Sequence, residues 1–262
     1  MTRQPATRLD PEADTAPEQR SIQSVVIGFR LIEALEAAPG PLSLKELAAA
    51  AGMPPSRAHA YLASLRAVGL VAQDGEGGRY DLGPRALSLG LAALGRLEVR
   101  DAALPAMRRF RDGTGEAVHL SVWAGQAPVI VSRLDGTRGG SLSIRIGTML
   151  PLERSASGRI FLAFLDEADA GARERLGETV DRVRADRMAM TDGLLNAGFA
   201  AISVPVFDHL GEIAGAMTTL GAAGHLDTSP DGPAAEALRA AGESASAALG
   251  YQPESNAEPE GR

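Results

Sequence analysis

The sequence SLKELAAAAGMPPSRAHAYLAS, residues 43–64, contains two helix starts separated by a break. Ser43 and Glu46 have the spacing of a capping box, in which each side chain accepts a hydrogen bond from the other residue's backbone N–H. Gly52 suits the end of the first helix, and Pro54-Pro55 interrupts the chain before the second. We expect Ser56 to cap that second helix. The pattern therefore predicts two short helices joined by a tight turn.

The flanking segments complete a winged helix-turn-helix. Residues 24–37 are expected to form a first helix with Ser24 at its N-cap. The predicted buried stripe of this helix consists of Val25, Phe29, Ile32 and Leu35. After the third helix, apolar segments at residues 70–72 and 80–82 flank a glycine-rich turn, which is typical of a β-hairpin. Three helices followed by a hairpin is the order of a winged helix-turn-helix.

The third helix is the expected DNA-reading element, because in this architecture it lies in the major groove. Helical spacing places Ala58, Leu62 and Leu65 on its buried face. Arg57 is a candidate for bidentate hydrogen bonds to guanine, and Arg79 for a phosphate or minor-groove contact. All candidate DNA-binding residues are Gln23, Ser24, Ser43, Ser56, Arg57, His59, Ala60, Tyr61, Ser64 and Arg79.

Composition excludes several classes of protein. The absence of cysteine excludes disulfides, thiolate metal sites and thiol catalysis. The histidines lack ligand-like spacing, so we expect no metal and no cofactor. Without a long apolar stretch or a signal-like N-terminus, we expect a cytoplasmic protein with no membrane contact. The net charge is −7, but residues 21–90 carry six basic and six acidic residues, so the winged segment is itself neutral.

The rest of the chain predicts an α+β fold with a second domain. We expect disordered tails at residues 1–20 and 252–262, a winged domain at 21–83, a connector helix at 84–99 and an effector-binding domain at 100–251. Leu87, Leu91 and Leu94 form the apolar stripe of the connector. Strands in the second domain are predicted at 118–122, 129–131, 141–146, 200–207 and 213–220, and helices at 100–111, 155–165, 167–184 and 234–249.

A candidate ligand site lies in the sequence RSASGR, residues 154–159. Small residues and hydroxyls at a helix N-terminus form an anion site, because backbone N–H groups there point outward. We expect a carboxylate at residues 155–158, and the alternative is that Ser155 only caps the helix. The candidate effector-binding residues are Trp123, Met149, Leu150, Ser155, Ala156, Ser157, Gly158, Leu194 and Ser203.

Two other function classes are open to test. Ser155 or Ser157 with His119 and Asp208 has the composition of a hydrolytic triad, but the chain lacks a Gly-x-Ser-x-Gly elbow, and we assign no catalytic residue. A winged helix can also serve as a protein-interaction module without DNA or a ligand response.

From Ser21 to about Tyr251, the chain resembles the IclR family of bacterial transcriptional regulators. The matching segments, in order, are residues 22–25, 42–48, 52–54, Ser56 with Ala58-His59, 69–71, 78–83, 115–120, Gly147, Leu150-Pro151, Gly158 and 205–208. The resemblance implies homodimers, or dimers of dimers, joined through the winged domains and connector helix. It also implies a GAF-like domain that binds a small organic or aromatic acid, and repression or activation of nearby catabolic operons.

The resemblance fails at positions that matter for specificity. The family usually has a basic residue at Pro55, threonine at Arg57 and arginine at Ala60, so the operator sequence does not carry over. The family's acidic residue after a Tyr-Ala-like pair falls near the apolar Leu194, and the segment 190–198 lacks the family's acidic cluster. The departure predicts a more apolar pocket or the loss of the ligand.

Overall fold

The computed structural model describes residues 22–75, 78–137 and 144–252. The chain divides into two compact units, of which one ends at Ala93 and the other begins at Leu94. The elements of the first unit, with the helix that runs one residue past its end, are α1 (Gln23–Ala37), α2 (Leu44–Ala50), α3 (Pro55–Ala67), β1 (Val71–Gln73), β2 (Tyr80–Leu82) and α4 (Pro84–Leu94).

The first unit has the predicted order of three helices and an antiparallel hairpin, in which Val71 pairs with Leu82. Its core is small and apolar, and Leu31, Leu47 and Leu62 are completely buried there. Ala58 is also buried and Leu65 is half-buried, which confirms the inward face predicted for α3.

The inward face of α1 differs from the prediction. Val25 and Phe29 are 62% and 53% exposed, and the buried face contains Leu31, Ile32 and Leu35. Helical periodicity detects apolar positions on α1, but it does not show which of them are buried within one chain. The predicted cap is also wrong, because α1 begins at Gln23 and Ser24 lies inside it.

The N-terminus of α3 also differs from the prediction. Pro54 occupies the N-cap and Pro55 is the first helical residue, so Ser56 lies inside the helix and does not cap it. Proline suits this position because its fixed φ matches the helix and its missing N–H would have no helical partner. By contrast, the capping box of α2 forms as predicted: Glu46 N–H donates to Ser43 Oγ, and Ser43 N–H donates to the Glu46 carboxylate.

The second unit is built on an antiparallel sheet with the strand order β4-β3-β7-β6-β5. Its elements are α5 (Glu98–Thr114), β3 (Ala117–Trp123), β4 (Pro128–Leu134), α6 (Ala156–Phe164), α7 (Ala170–Leu176), α8 (Glu178–Asp186), β5 (Ala189–Asp192), β6 (Phe199–Phe207), β7 (Ile213–Ala222) and α9 (Pro233–Ala248).

Helices cover both faces of this sheet. On one face, α5 and α9 pack over Leu120, Ile202 and Met217. On the other face, α6 packs over Ala201, Ala216 and Leu220, and α8 packs against α6. Because side chains alternate along a strand, the residues next to Leu120, Ile202 and Met217 in the sequence face α6. They include polar groups of the candidate ligand site.

Three local predictions in the second unit fail. The single helix expected at residues 167–184 is divided into α7 and α8 at Gly177. The short strand β5 was not predicted. Of the strand expected at 141–146, residues 141–143 lie outside the described residues, and Ile144 to Ile146 are not in a strand.

Candidate DNA-binding surface and effector pocket

The outward face of α3 is polar and open. Ser56, Arg57, His59, Ala60 and Ser64 are all exposed on this helix. Their exposure follows from the buried positions of Ala58 and Leu62, which turn the other side of the helix toward the core. The predicted reading face is therefore available to a ligand as large as DNA.

Tyr61 is the exception on this face, because it is half-buried. Its ring packs against Gly28 of α1, where an added Cβ would lie 3.2 Å from Tyr61 Cδ1. The Arg57 guanidinium lies 6.0 Å from the centre of the same ring. Tyr61 thus supports the reading helix and offers an aromatic surface to Arg57, an arrangement that favours a partly ordered Arg57.

Arg79 links the hairpin to the helices. Its Nη1 donates to the Pro41 carbonyl at 3.1 Å and lies 3.6 Å from the Glu46 carboxylate. The Glu46 pKa is lowered, mainly by the hydrogen bond from the Ser43 backbone and then by the Ser43 side chain. Ser43 and Arg79 therefore have structural partners at the base of the hairpin, whereas Gln23 and Ser24 are exposed at the start of α1.

The start of α6 is buried. Ser155 occupies the N-cap, where its Oγ accepts from Gly158 N–H at 2.9 Å and donates to the Pro151 carbonyl at 2.7 Å. Gly158 is required by close packing, since a Cβ there would lie 2.3 Å from the Leu152 carbonyl oxygen. With Ser155 bound to Gly158, the N–H groups of Ala156 and Ser157 have no partner inside the helix.

A small cavity of about 20 Å³, hereafter the α6 cavity, lies beside this helix start. That volume is close to the space of one water molecule. Its polar lining consists of His119, Ser155, Ser157, Thr191, Asn196 and Thr218, and its apolar lining includes Ile144, Leu150, Ala156, Phe199 and Leu220. None of the described residues that line it is acidic, lysine or arginine.

A row of buried hydroxyls connects the cavity to the sheet. Ser157 Oγ and Ser203 Oγ each lie 2.8 Å from Thr218 Oγ1. All three side chains are at most 2% exposed. Ser203 therefore lies behind Thr218 and reaches the cavity only through it.

The segment 193–198 covers one side of the cavity through Leu195 and Asn196. Gly193 and Gly198 bound it, with φ values of +64° and +82° that favour glycine. Arg154 holds the segment, because its Nε and Nη2 donate to the Leu194 carbonyl at 3.0 and 2.8 Å.

His119 lies in the middle of the sheet on the side of the cavity. It is 7% exposed, and its Nε2 has no hydrogen-bond partner among the described residues. Burial lowers the pKa of His119 to about 4, so the ring is neutral at pH 7.

The cavity includes part of the set predicted for effector binding. Leu150, Ser155, Ala156 and Ser157 line it. Ser155 is the N-cap of α6, as the alternative interpretation of that residue predicted. The predicted residues that lie outside the lining are Trp123, Met149, Gly158, Leu194 and Ser203.

Local contacts explain why these residues do not line the α6 cavity. Trp123 packs on Phe161 with ring centres 5.7 Å apart, and Gly158 packs on Leu152. Met149 is 46% exposed, and Leu194 contributes its backbone carbonyl to Arg154.

His119, Thr191, Asn196 and Thr218 are cavity residues that the prediction missed. One signal was available for His119: Val118, Leu120 and Val122 alternate on one face of the strand, so His119 must lie on the other. Thr218 required the register of β7 on β3, in which it is the partner of His119.

The possible hydrolytic triad is not assembled. Asp208 Oδ1 accepts from the backbone N–H groups of Leu210 and Glu212, within the turn that joins β6 to β7. Ser157 bonds to Thr218, and Ser155 bonds to the Pro151 carbonyl.

Comparison with known families agrees with this architecture. The IclR helix-turn-helix domain model matches residues 24–75, and the bacterial transcriptional regulator IclR C-terminal model matches residues 91–247. The chain belongs to the IclR family. It is therefore a helix-turn-helix transcriptional regulator and not an enzyme, as the sequence predicted.

Individual IclR relatives cover much of the chain. The acetate operon repressor of Salmonella typhimurium is 32% identical over 159 residues, which are 60% of this chain and 58% of that protein. The crystal structure of Pseudomonas aeruginosa HmgR is 34% identical, with a TM-score of 0.56, over 88% of this chain and 99% of that one.

A third IclR protein shares the fold. The IclR homolog of Microbacterium hydrocarbonoxydans, solved with 4-hydroxybenzoate, is 22% identical, with a TM-score of 0.70, over 86% of this chain and 98% of that chain. In the described part of the present chain, no helix combines the length and apolar character needed to span a membrane.

Proposed function

We propose that this regulator represses an operon near its own gene in the cytoplasm, and that a small organic or aromatic acid in the α6 cavity changes its affinity for the operator. The observation that carries the proposal is a buried helix start beside a cavity lined by hydroxyls, in the unit that follows a helix-turn-helix. The name of the Salmonella repressor supports the direction of regulation.

The DNA contacts in this proposal come from α3. Arg57 is exposed near the first turn, where a guanidinium can reach the edge of guanine. Ser56 is suited to a phosphate, because its N–H lies in the first turn of α3; Pro55 has no N–H, and the Arg57 N–H already donates to the Pro54 carbonyl at 3.0 Å. Arg79 would have to leave Pro41 and Glu46 to reach DNA, so we assign it to the support of the hairpin.

The ligand in this proposal is anionic at one end. A carboxylate can accept from the N–H groups of Ala156 and Ser157, which the dipole of α6 makes favourable. The 4-hydroxybenzoate in the Microbacterium homolog supports an acid of this class. Because the cavity is small, an aromatic acid requires the segment 193–198 to move outward, and Arg154 opposes that movement.

Binding to promoter DNA from the neighbouring genes tests the first part. We expect a specific complex whose association constant falls steeply with salt, since each phosphate contact releases a counterion. A protein that ignores this DNA at low salt would instead act as a protein-interaction module, and the proposal would be wrong.

The Ser155→Leu variant tests the second part, because its side chain fills the cavity and removes the cap. We expect unchanged operator affinity without ligand and no further change when the acid is added. A response equal to that of the wild type would place the ligand elsewhere. Operator binding by the unliganded variant is the internal control for folding.

We also propose that the regulator assembles through the first unit. Ile22, Val25, Val26 and Phe29 form an exposed apolar face on α1, and Leu87, Leu89 and Leu91 are exposed on α4. Apolar surface of this extent is characteristic of an interface. Replacing Val25 and Phe29 by glutamate should shift the mass in sedimentation to the monomer, whereas Val68→Glu, at an exposed position beside α3, should not.

A further inference from the structure

His119 is a buried polar side chain of the α6 cavity to which the proposed function gives no role. Its Nε2 lacks a hydrogen-bond partner among the described residues, although the side chain is only 7% exposed. A buried polar atom without a partner destabilises the folded state, so such an atom in a native protein calls for a physical explanation.

The polar neighbours of His119 on the sheet bond elsewhere. The strand register places it between Arg133 of β4 and Thr218 of β7. Arg133 donates to the Ile144 carbonyl at 2.7 Å and to the Asp135 carboxylate at 3.2 Å. Thr218 Oγ1 bonds to the hydroxyls on either side of it in the buried row. Neither of these cross-strand neighbours therefore provides a hydrogen bond to Nε2.

The chemistry of imidazole restricts what can meet this atom. Because burial keeps the ring neutral, one ring nitrogen is a donor and the other an acceptor. A hydroxyl can donate or accept, so it pairs with Nε2 in either tautomer. A carboxylate can only accept, and it favours the charged imidazolium that burial disfavours. A hydroxyl is the group that best matches Nε2.

We propose that His119 binds the effector directly, and that the effector is a hydroxy acid. Its carboxylate lies at the start of α6 and its hydroxyl hydrogen-bonds to His119 Nε2. The carbon skeleton between these groups meets Leu150, Phe199 and Leu220, which are apolar lining residues. This inference rests on the proposed function, because it takes the α6 cavity as the effector site.

Calorimetric titration of the full-length protein with acids that differ only in a hydroxyl tests the proposal. The probes are benzoate with its 3- and 4-hydroxy forms, and propionate with lactate. In at least one series we expect the hydroxy acid to bind about tenfold more tightly, since a site built for a hydroxyl is left unpaired without one.

His119→Phe removes Nε2 and keeps an aromatic ring. In this variant the ratio of the two dissociation constants should fall below about twofold, because only the hydroxy acid loses a hydrogen bond when Nε2 is removed. His225→Phe is the matched control, because His225 is exposed and does not line the cavity; it should preserve the preference.

The possible failures are distinguishable. Equal binding of hydroxy and unsubstituted acids to the wild type overturns the hydroxyl contact and leaves the carboxylate site standing. A preference that survives in His119→Phe overturns the role of His119. The absence of saturable binding by every probe overturns both this inference and the proposed pocket.

If His119→Phe does not fold, nitrogen spectra of the wild type decide the point. In a long-range proton–nitrogen NMR spectrum, the hydroxy acid should move the Nε2 resonance of His119 more than its unsubstituted analogue does. Equal shifts with the two acids would contradict a hydroxyl contact.

Discussion

The starts of α3 and α6 are both helix N-termini, but they differ in sequence and in their surroundings. The first turn of α3 is exposed and has no side-chain cap, whereas Ser155 caps α6 in a buried site. Both lie at the positive end of a helix dipole, but α3 begins with prolines that have no N–H, whereas α6 presents the N–H groups of Ala156 and Ser157. The exposed start suits a large anion that keeps much of its water, such as DNA, and the buried start suits a small anion. Burial, more than the helix start itself, sets the size of the ligand.

The largest expected effect is a loss of folding stability at low pH, which comes from the buried His119. His119 has a pKa of about 4 in the folded chain and about 6.5 when unfolded. Above pH 6.5 both states are neutral at this residue, and as the pH falls to 4 only the unfolded state gains the proton. The free energy of unfolding should therefore decrease by about 3 kcal/mol from this group.

Urea denaturation at pH 7 and pH 4.5 measures this effect. Carboxylates also titrate in this range. The comparison is therefore between the change in the free energy of unfolding from pH 7 to pH 4.5 in the wild type and the same change in His119→Gln, whose amide does not titrate. Identical pH dependence in the two proteins would show that His119 is hydrated in the folded state.

At the exposed start, Arg57→Ala should reduce the free energy of specific operator binding by about 1–3 kcal/mol, because it removes the candidate guanine contact. Arg66→Ala is the matched control, since Arg66 is exposed on the opposite side of α3. Gel-shift titrations on operator and random DNA separate base reading from phosphate contact. An equal loss on both DNAs would make Arg57 a phosphate contact.

Removing one hydroxyl from each helix start compares the two directly. Ser155→Ala should lower the free energy of unfolding by about 1 kcal/mol, because it removes the cap of a buried helix. Ser56→Ala should change it by less than about 0.5 kcal/mol, since Ser56 is exposed and is not the cap. Thermal denaturation of both variants measures these changes, and equal changes would contradict the assignment of Ser155, but not Ser56, as a helix cap.

The smallest effect should come from Arg154→Ala, which releases the Leu194 carbonyl. We expect 4-hydroxybenzoate to associate about two- to fivefold faster, because a net hydrogen bond contributes about 0.5–1.5 kcal/mol and Arg154 is exposed. The fluorescence of Trp123, the only tryptophan, can report binding in stopped flow. Arg182→Ala, at another exposed position, is the control, and an unchanged rate would exclude the segment 193–198 as the entrance.

Local signals in the sequence predicted the elements well. The capping box of Ser43 and Glu46 needs only residues close in sequence, and so does the hydroxyl at the start of α6. The exposed Val25 and Phe29 were misplaced because periodicity detects an apolar face but not what covers it. The break at Gly177 was missed for a similar reason, since one glycine within a charged helical pattern is compatible with a continuous helix.

The candidate pocket could be predicted only in part. Ser155 to Ser157 are adjacent in the chain, so their shared site was visible. His119, Thr191 and Thr218 meet them through strand pairing and helix packing, which join residues far apart in sequence. Trp123 was included for its aromatic character, but the register places it beyond the cavity, against Phe161.

The three hydroxyls in the buried row of Ser157, Thr218 and Ser203 do not make the same number of hydrogen bonds within the row. Thr218 has one proton and two hydroxyl neighbours, so it can donate to at most one of them and must accept from the other. Losing an end hydroxyl breaks one bond, whereas losing the middle hydroxyl isolates both ends at once. We therefore expect the protein to tolerate substitutions at Ser203 more readily than at Thr218 in the course of evolution, although both side chains are buried.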